Sequence, residues 1–264
     1  MARTRIELKS SDEIAVMARA GAIVCEVLDT VESHAMAGIS TFALDEIARD
    51  VMSRHGATSA FLNYPHDRGG IPFPGVLCTS VNEAIVHGIP SREQVLVTGD
   101  VVTIDFGCVF EGFYGDSART IAVGEVSPEV QHLLEITRQA LDEAIAQCGV
   151  DRHLHEIGAA VERIVRPHGY GIVAEFVGHG IGRSLHEDPQ VPNYVPKGYK
   201  ACSGLRLEPG LVMAIEPMVN LGTARTKRHK DGWTIITADG LPSAHFEHTV
   251  AITEDGPIVL TSRT

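Results

Sequence analysis

The sequence predicts an α+β fold made of two similar halves. Three observations lead there: two helical patterns precede a run of short strands, the same order returns after Ser127, and no Pro/Gly/Ser-rich linker separates the two blocks. The halves share no visible sequence identity, so the repeat is one of architecture. It divides a single domain, residues 1–264, into halves at about 11–124 and about 125–262 that share one sheet.

The first helix is expected over 10–35. Ser10 and Glu13 have capping-box spacing, and Ile14, Met17, Ala18, Ala20, Ile23, Val24 and Val27 give a broad apolar face. A second helix runs from about 40 to 55 and stops at Gly56. Strands follow near 76–80, 84–87 and 100–107, and a turn at Glu111-Gly112 leads into 117–123. In the second half, helices are expected at about 128–147 and 154–166, then strands near 173–177, 211–216, 233–237 and 245–253.

Composition bounds the function. Apolar residues make up 44% and charged residues 21%, ordinary values for a packed globular chain. No apolar run reaches the roughly 18 residues that span a bilayer, and MARTRIELKSSDE lacks the apolar stretch of a signal peptide, so a cytoplasmic protein is expected. Cys25, Cys78, Cys108, Cys148 and Cys202 are widely spaced with no CxxC pair, which suggests neither a disulfide framework nor a zinc ribbon. The net charge of −12 argues against a DNA binder.

The informative residues are charges in apolar strands. VVTIDFGCVFEGFYGDSART places Asp105 inside one strand and Asp116 on the next, joined by a hairpin. FVGHGIG carries His179, VMAIEPM carries Glu216, and HFEHTVAIT carries Glu247. Each has a plain reading of its own: an edge residue facing water for Asp105, a turn cap for Asp116, a loop histidine for His179, a strand end before Pro217 for Glu216. What sets them apart is that all five hold the same kind of position. Two unit charges about 4 Å apart repel by about 4 kcal/mol at an effective dielectric of about 20, so converging carboxylates need neutralising. Four carboxylates and an imidazole suffice for two divalent cations if some carboxylates bridge, and two-metal hydrolytic sites have spacings of roughly 3.5–4 Å. Such an oxygen-rich set suits Mn, Fe or Co at least as well as Zn.

In order along the chain, TSVNEAIVHGIP, IDFG…GDSART, GHGIG…HEDPQVPNY, AIEPM, DGWT and FEHTVAIT closely resemble the motifs of type I methionine aminopeptidases, over about residues 11 to 262. The resemblance implies a pita-bread fold cradling a dinuclear metal centre. Asp105, Asp116, His179, Glu216 and Glu247 would be the ligands, with Asp116 and Glu247 bridging. It implies removal of the initiator methionine from nascent or new polypeptides whose second residue is small. Glu216 would act as general base and acid, and His87 and His186 would hold the scissile amide. Tyr64, Phe73, Cys78 and Trp233 would wall the methionine pocket. Without a long helical insertion in the second half or a cysteine-rich amino-terminal extension, the chain looks like the short, bacterial-like form, acting as a monomer.

Three departures from the pattern stand out. Leu185 precedes His186 where a bulky aromatic is expected, the stretch PHDRGGIPFPG (65–75) is longer than usual, and a small surface insertion falls around PKGYKACSG. The basic run TARTKRHKDG, with Arg225, Lys227, Arg228 and Lys230, is either a solvated loop or a transient contact for ribosomal RNA. Two other readings of the same fold stand beside this one. One is an Xaa-Pro aminopeptidase or prolidase, which usually carries an extra amino-terminal domain. The other is a non-enzymatic binding module, which typically loses ligands.

Overall fold

A computed structural model of the chain describes residues 6–196 and 204–262. The insertion expected around PKGYKACSG lies, from 197 to 203, outside the described residues.

Four helices form where their capping residues put them. α1 (Ser11–His34) starts on the expected box: the Ser10 hydroxyl accepts from the Glu13 N–H at 3.3 Å, and the Ser10 N–H donates to Glu13 Oε2 at 2.9 Å. Ser40 caps α2 (Thr41–Arg54), and Ser127 caps α3 (Pro128–Ile145), whose first residue is the proline that position favours. In α4 (Leu154–Val165) the Glu156 carboxylate accepts from the His153 N–H at 2.8 Å.

The strands obey a two-residue period that separates two chemistries. In Val101–Phe110 the side chains of Val102, Ile104, Phe106 and Cys108 pack with Val24, Leu28, Val31, Leu44 and Ala48 of α1 and α2. Thr103, Asp105 and Gly107 therefore face the other way. The second half repeats the arrangement: Met213, Ile215, Val250 and Ile252 pack with Leu133, Leu141, Ile157 and Val161 of α3 and α4, leaving Ala214, Glu216 and Thr249 on the opposite face. Helices thus cover the outer side of both halves, and the polar residues collect inside.

The hairpin Val101–Phe110/Phe113–Ala122 is a ten-pair antiparallel ladder. Its two-residue turn, Glu111 (φ 49°) and Gly112 (φ 82°), has both residues left-handed, the backbone twist that matches paired strands. α1 crosses this hairpin closely at Gly115, where a Cβ would fall 3.0 Å from the Gly21 nitrogen. Cys78–Val81 pairs with the far edge of Val101–Phe110. In the second half, Gly256–Val259, His248–Thr253, Val212–Ile215, Gly178–Gly180 and Glu187–Val191 form a five-stranded sheet in that order.

The antiparallel sheet that the two halves share divides, among the described residues, into four hydrogen-bonded groups of strands. The two largest meet at a seam, where the Glu247 N–H donates to the Ala118 carbonyl at 2.8 Å. The expected strand 245–253 is divided there. Ser243–His245 and His248–Thr253 belong to different ladders, and the interruption at Phe246-Glu247 lets Phe246 enter the core under α3 while Glu247 turns to the seam. The apolar run 173–177 does not pair as a strand. Pairing falls on Gly171–Ile172 and Gly178–Gly180, and Val173 and Phe176 pack with Ile85, Val86, Met218 and Ile235. Part of the basic run, expected as a loop, is the strand Thr226–Arg228, which pairs with Ile235–Thr237.

Candidate active site

Strand register explains how five distant side chains converge. Cys78, Asp105, Ala118 and Glu247 are successive partners across four strand segments. A parallel row runs His179, Ala214, Thr249, and the Thr249 hydroxyl donates to the Asp116 carbonyl at 2.7 Å while accepting from the Asp116 N–H at 3.2 Å. Asp116 lies two residues from Ala118, Glu216 two from Ala214, and Glu247 two from Thr249. The period of two therefore puts all of them on one face. Alanines occupy the intervening places, so the carboxylates have room above them.

The carboxylates are buried: Asp105, Asp116 and Glu247 are 9%, 4% and 3% exposed. Asp105 Oδ1 and Asp116 Oδ1 have no hydrogen-bond partner. Burial, followed by mutual repulsion, pushes Asp116, Glu216 and Glu247 well above the usual carboxylate range, and burial pushes Asp105 up to about 7. Ligand atoms of Asp116, His179 and Glu247 all lie within 4.8 Å of one another. Orphaned, desolvated oxygens beside a buried imidazole are the donor set a divalent cation satisfies, so these residues fit a metal centre. His179 suits it further. Its Nδ1–H donates to the Gly180 carbonyl at 2.9 Å, burial lowers its pKa to about 3, and a neutral ring with Nε2 as its lone-pair nitrogen results. Nε2 lies 3.6 Å from Glu216 Oε1, too far for a hydrogen bond.

Two more histidines face the same space. Burial lowers the pKa of His87 to about 4 and that of His186 as well, so both rings are neutral near pH 7. Burial raises the pKa of Tyr64, and its hydroxyl shares a 2.7 Å hydrogen bond with His186 Nδ1; with the phenol as donor, the His186 proton stands on Nε2. His87 sits in a left-handed backbone conformation (φ 60°), which costs about 1–3 kcal/mol, and its ring meets Phe176 and Trp233 edge to face.

One cavity of about 140 Å³ takes in Tyr64, Phe73, Cys78, His87, Asp105, Asp116, His179, His186, Glu216, Trp233 and Glu247, every residue that the sequence suggested for metal, catalysis or the methionine pocket. Leu185 lines it too, so the expected bulky aromatic is replaced by an aliphatic wall. Asp105 and Glu216 border the cavity outside the compact Asp116, His179 and Glu247 group.

Sequence reasoning missed Phe61, which lines the cavity; its only signal was an aromatic in the apolar stretch before Tyr64. It also missed His245, which is 1% exposed, with Nε2 3.6 Å from Glu216 Oε2 and neither ring nitrogen hydrogen-bonded. Its position two residues before Glu247 was the available clue.

Comparison with known proteins agrees with this geometry. The model of metallopeptidase family M24 matches residues 15–254. A methionine aminopeptidase of Aquifex aeolicus is 44% identical over 256 residues, 97% of this chain and 98% of that one. The crystal structure of methionine aminopeptidase from Thermotoga maritima superposes with a TM-score of 0.91 at 37% identity, covering 98% of this chain and all of that one. A prolidase from Pyrococcus furiosus shares the fold, with a TM-score of 0.73 at 23% identity over 97% of this chain and 66% of the prolidase.

The carboxylate cluster makes a sign-specific prediction for chelator-stripped protein. A carboxyl raised by folding contributes no penalty below its unfolded pKa of about 4, and its full penalty above its folded pKa. Asp105→Asn should therefore melt at a higher temperature than the parent at pH 8, and the gap should close as pH falls through about 7 towards 4. Parallel thermal melts of the two stripped proteins measure it.

Proposed function

The chain belongs to metallopeptidase family M24, and from that premise we propose that it is a metal-dependent methionyl aminopeptidase of the short, bacterial-like type I form. Its substrate would be the amino terminus of a nascent or new polypeptide that begins with methionine and has a small second residue. The observation that carries this reading is the cavity itself, which a cluster of desolvated acids shares with two neutral histidines and an aromatic wall. Asp105, Asp116, His179, Glu216 and Glu247 would hold two divalent ions, with Co, Mn, Fe and Zn all compatible with the donor set. When bound, these ions supply the positive charge that keeps the carboxylates ionised and acidify a water towards pKa about 7.

The rest of the mechanism belongs to the chain's own side chains. Glu216, at the edge of the compact group, takes the proton of the attacking water on a carboxylate oxygen and returns it to the leaving amine. The Nε2–H of His186, oriented by Tyr64, donates to the scissile carbonyl oxygen as it becomes negative, and His87 holds the amide from the Trp233 side. Tyr64, Phe61, Phe73, Cys78, Leu185 and Trp233 enclose an apolar space for the methionine side chain, whose thioether suits aromatic edges.

The prolidase likeness, at 23% identity, speaks for the fold alone. A binding module without activity would have little use for a complete set of five desolvated donors, four of them buried. We take the whole chain, residues 1–264, as one catalytic domain that works as a monomer in the cytoplasm. Among the described residues no helix is long and apolar enough to cross a membrane, and Cys25, Cys78, Cys108 and Cys148 are buried and form no disulfide. Arg225, Lys227 and Lys230 are exposed, with Lys227 Nζ also donating to the Ala238 carbonyl at 2.7 Å, whereas Arg228 is half-buried and its charge is matched by Asp67, so three uncompensated cations rather than four face solvent for a transient contact with ribosomal RNA.

Three experiments test this reading. Stripped enzyme should not cleave Met-Ala-Ser, readdition of a single divalent metal should restore cleavage, and Xaa-Pro peptides should stay intact. Glu216→Gln should lower kcat by about 10²- to 10⁴-fold; full activity in that variant, or preferred Xaa-Pro cleavage, contradicts the assignment. Reversing Arg225, Lys227 and Lys230 should abolish co-sedimentation with ribosomes at low salt, and unchanged co-sedimentation rules out the ribosomal contact.

A further inference from the structure

The long stretch 65–75 folds back onto the strand pair Thr226–Arg228/Ile235–Thr237, and its contacts concentrate on one residue of the cavity wall, Trp233. The indole N–H donates to the Ile71 carbonyl at 2.8 Å. Phe73 and His66 each meet the ring edge to face, at 5.3 and 5.0 Å between centroids. His66 is wedged in place. Its side chain is 8% exposed, Nε2 donates to the Gly232 carbonyl at 3.0 Å, and Nδ1 accepts from the Arg68 N–H at 3.0 Å. Gly70 closes over it, since a Cβ there would come within 2.9 Å of the ring. Asp67 takes the Arg228 guanidinium through both nitrogens, at 2.8 and 3.4 Å, and Arg228 Nη1 donates to the Gly232 carbonyl at 2.7 Å. The Asp67 side chain is 56% exposed, so that pair contributes little by itself and the buried imidazole is the main fastening.

Trp233 and Phe73 line the cavity, while His66, Asp67 and Ile71 stand behind them. An indole held on its ring and at its N–H cannot swing aside to admit a wider side chain. We propose that residues 65–71 are a specificity-determining brace: His66, as a positioning residue, holds Trp233 so that the cavity takes an unbranched, flexible apolar first side chain and rejects a branched one. The choice of first residue rests on the aminopeptidase reading above; the brace does not.

Trp233 is the only tryptophan in the chain, so its fluorescence reports the brace without any turnover. His66→Ala should shift the emission to longer wavelength and increase quenching by acrylamide. It should raise KM for Met-Ala-Ser about tenfold with kcat within about twofold, and lower the kcat/KM preference for Met-Ala-Ser over Leu-Ala-Ser about tenfold. Manganese affinity by calorimetry should not change. Asp67→Asn, a surface change, should move fluorescence and selectivity the same way by a smaller factor. Unaltered emission and quenching in a His66→Ala protein that still melts cooperatively overturn the brace, and if that variant does not fold, parent-like emission and quenching in the milder His66→Asn, which also removes the ring from Trp233, do so. A parent without activity on Met-Ala-Ser would defeat the aminopeptidase reading, and the quenching measurements would still decide the brace.

Discussion

The constraint on which everything else depends is the confinement of four carboxylates to the inner face of a strand assembly whose outer face is sealed by helices. In that setting each charge loses water and gains like-charged neighbours, so the uncompensated cluster works against the fold. Backbone bonding at the seam holds the halves together regardless. Glu247 N–H to Ala118, Ser117 hydroxyl to the Glu247 carbonyl at 2.5 Å, and the two Thr249 bonds to Asp116 all lie within two residues of the repelling side chains. The chain holds acids close together and leaves their neutralisation to a cation.

The cavity mixes two kinds of group. Its acids favour cations. Beside them His87 and His186 are neutral because burial opposes a charged ring; the ring of His186 lies 4.3 Å from that of His179 and bonds Tyr64, and His87 stands on a left-handed backbone. Neutral donors next to a cation site can stabilise a developing oxyanion without competing for the carboxylates. The aromatic wall completes the division of labour, and its one tryptophan is fixed from behind by a segment that never reaches the cavity.

Much of the site was legible because burying charge is costly. An aspartate in VVTIDFG, a glutamate in VMAIEPM and another in HFEHTV announce themselves against apolar neighbours, and the helix caps at Ser10, Ser40 and Ser127 mark the outer layer. What stayed hidden depends on three-dimensional neighbours. Phe61 is one aromatic among several until the cavity forms around it, and His245 gains meaning only from its distance to Glu216. The run 173–177 has strand-like residues, yet its burial comes from packing around Phe176 rather than from ladder bonds. Likewise, the basic run suggested a free loop because sequence cannot show that Asp67, 161 positions earlier, binds Arg228.

The central claim, that cations resolve the repulsion among these carboxylates, is tested most directly by titrating stripped protein with manganese at neutral pH in two buffers of different ionisation enthalpy. Carboxyls held up by burial must release protons as metal enters. The account predicts saturable uptake of two ions per chain with net proton release, both lost when Asp116 and Glu247 are changed together to Asn and Gln. Uptake without proton release, or uptake that survives the double change, would contradict it.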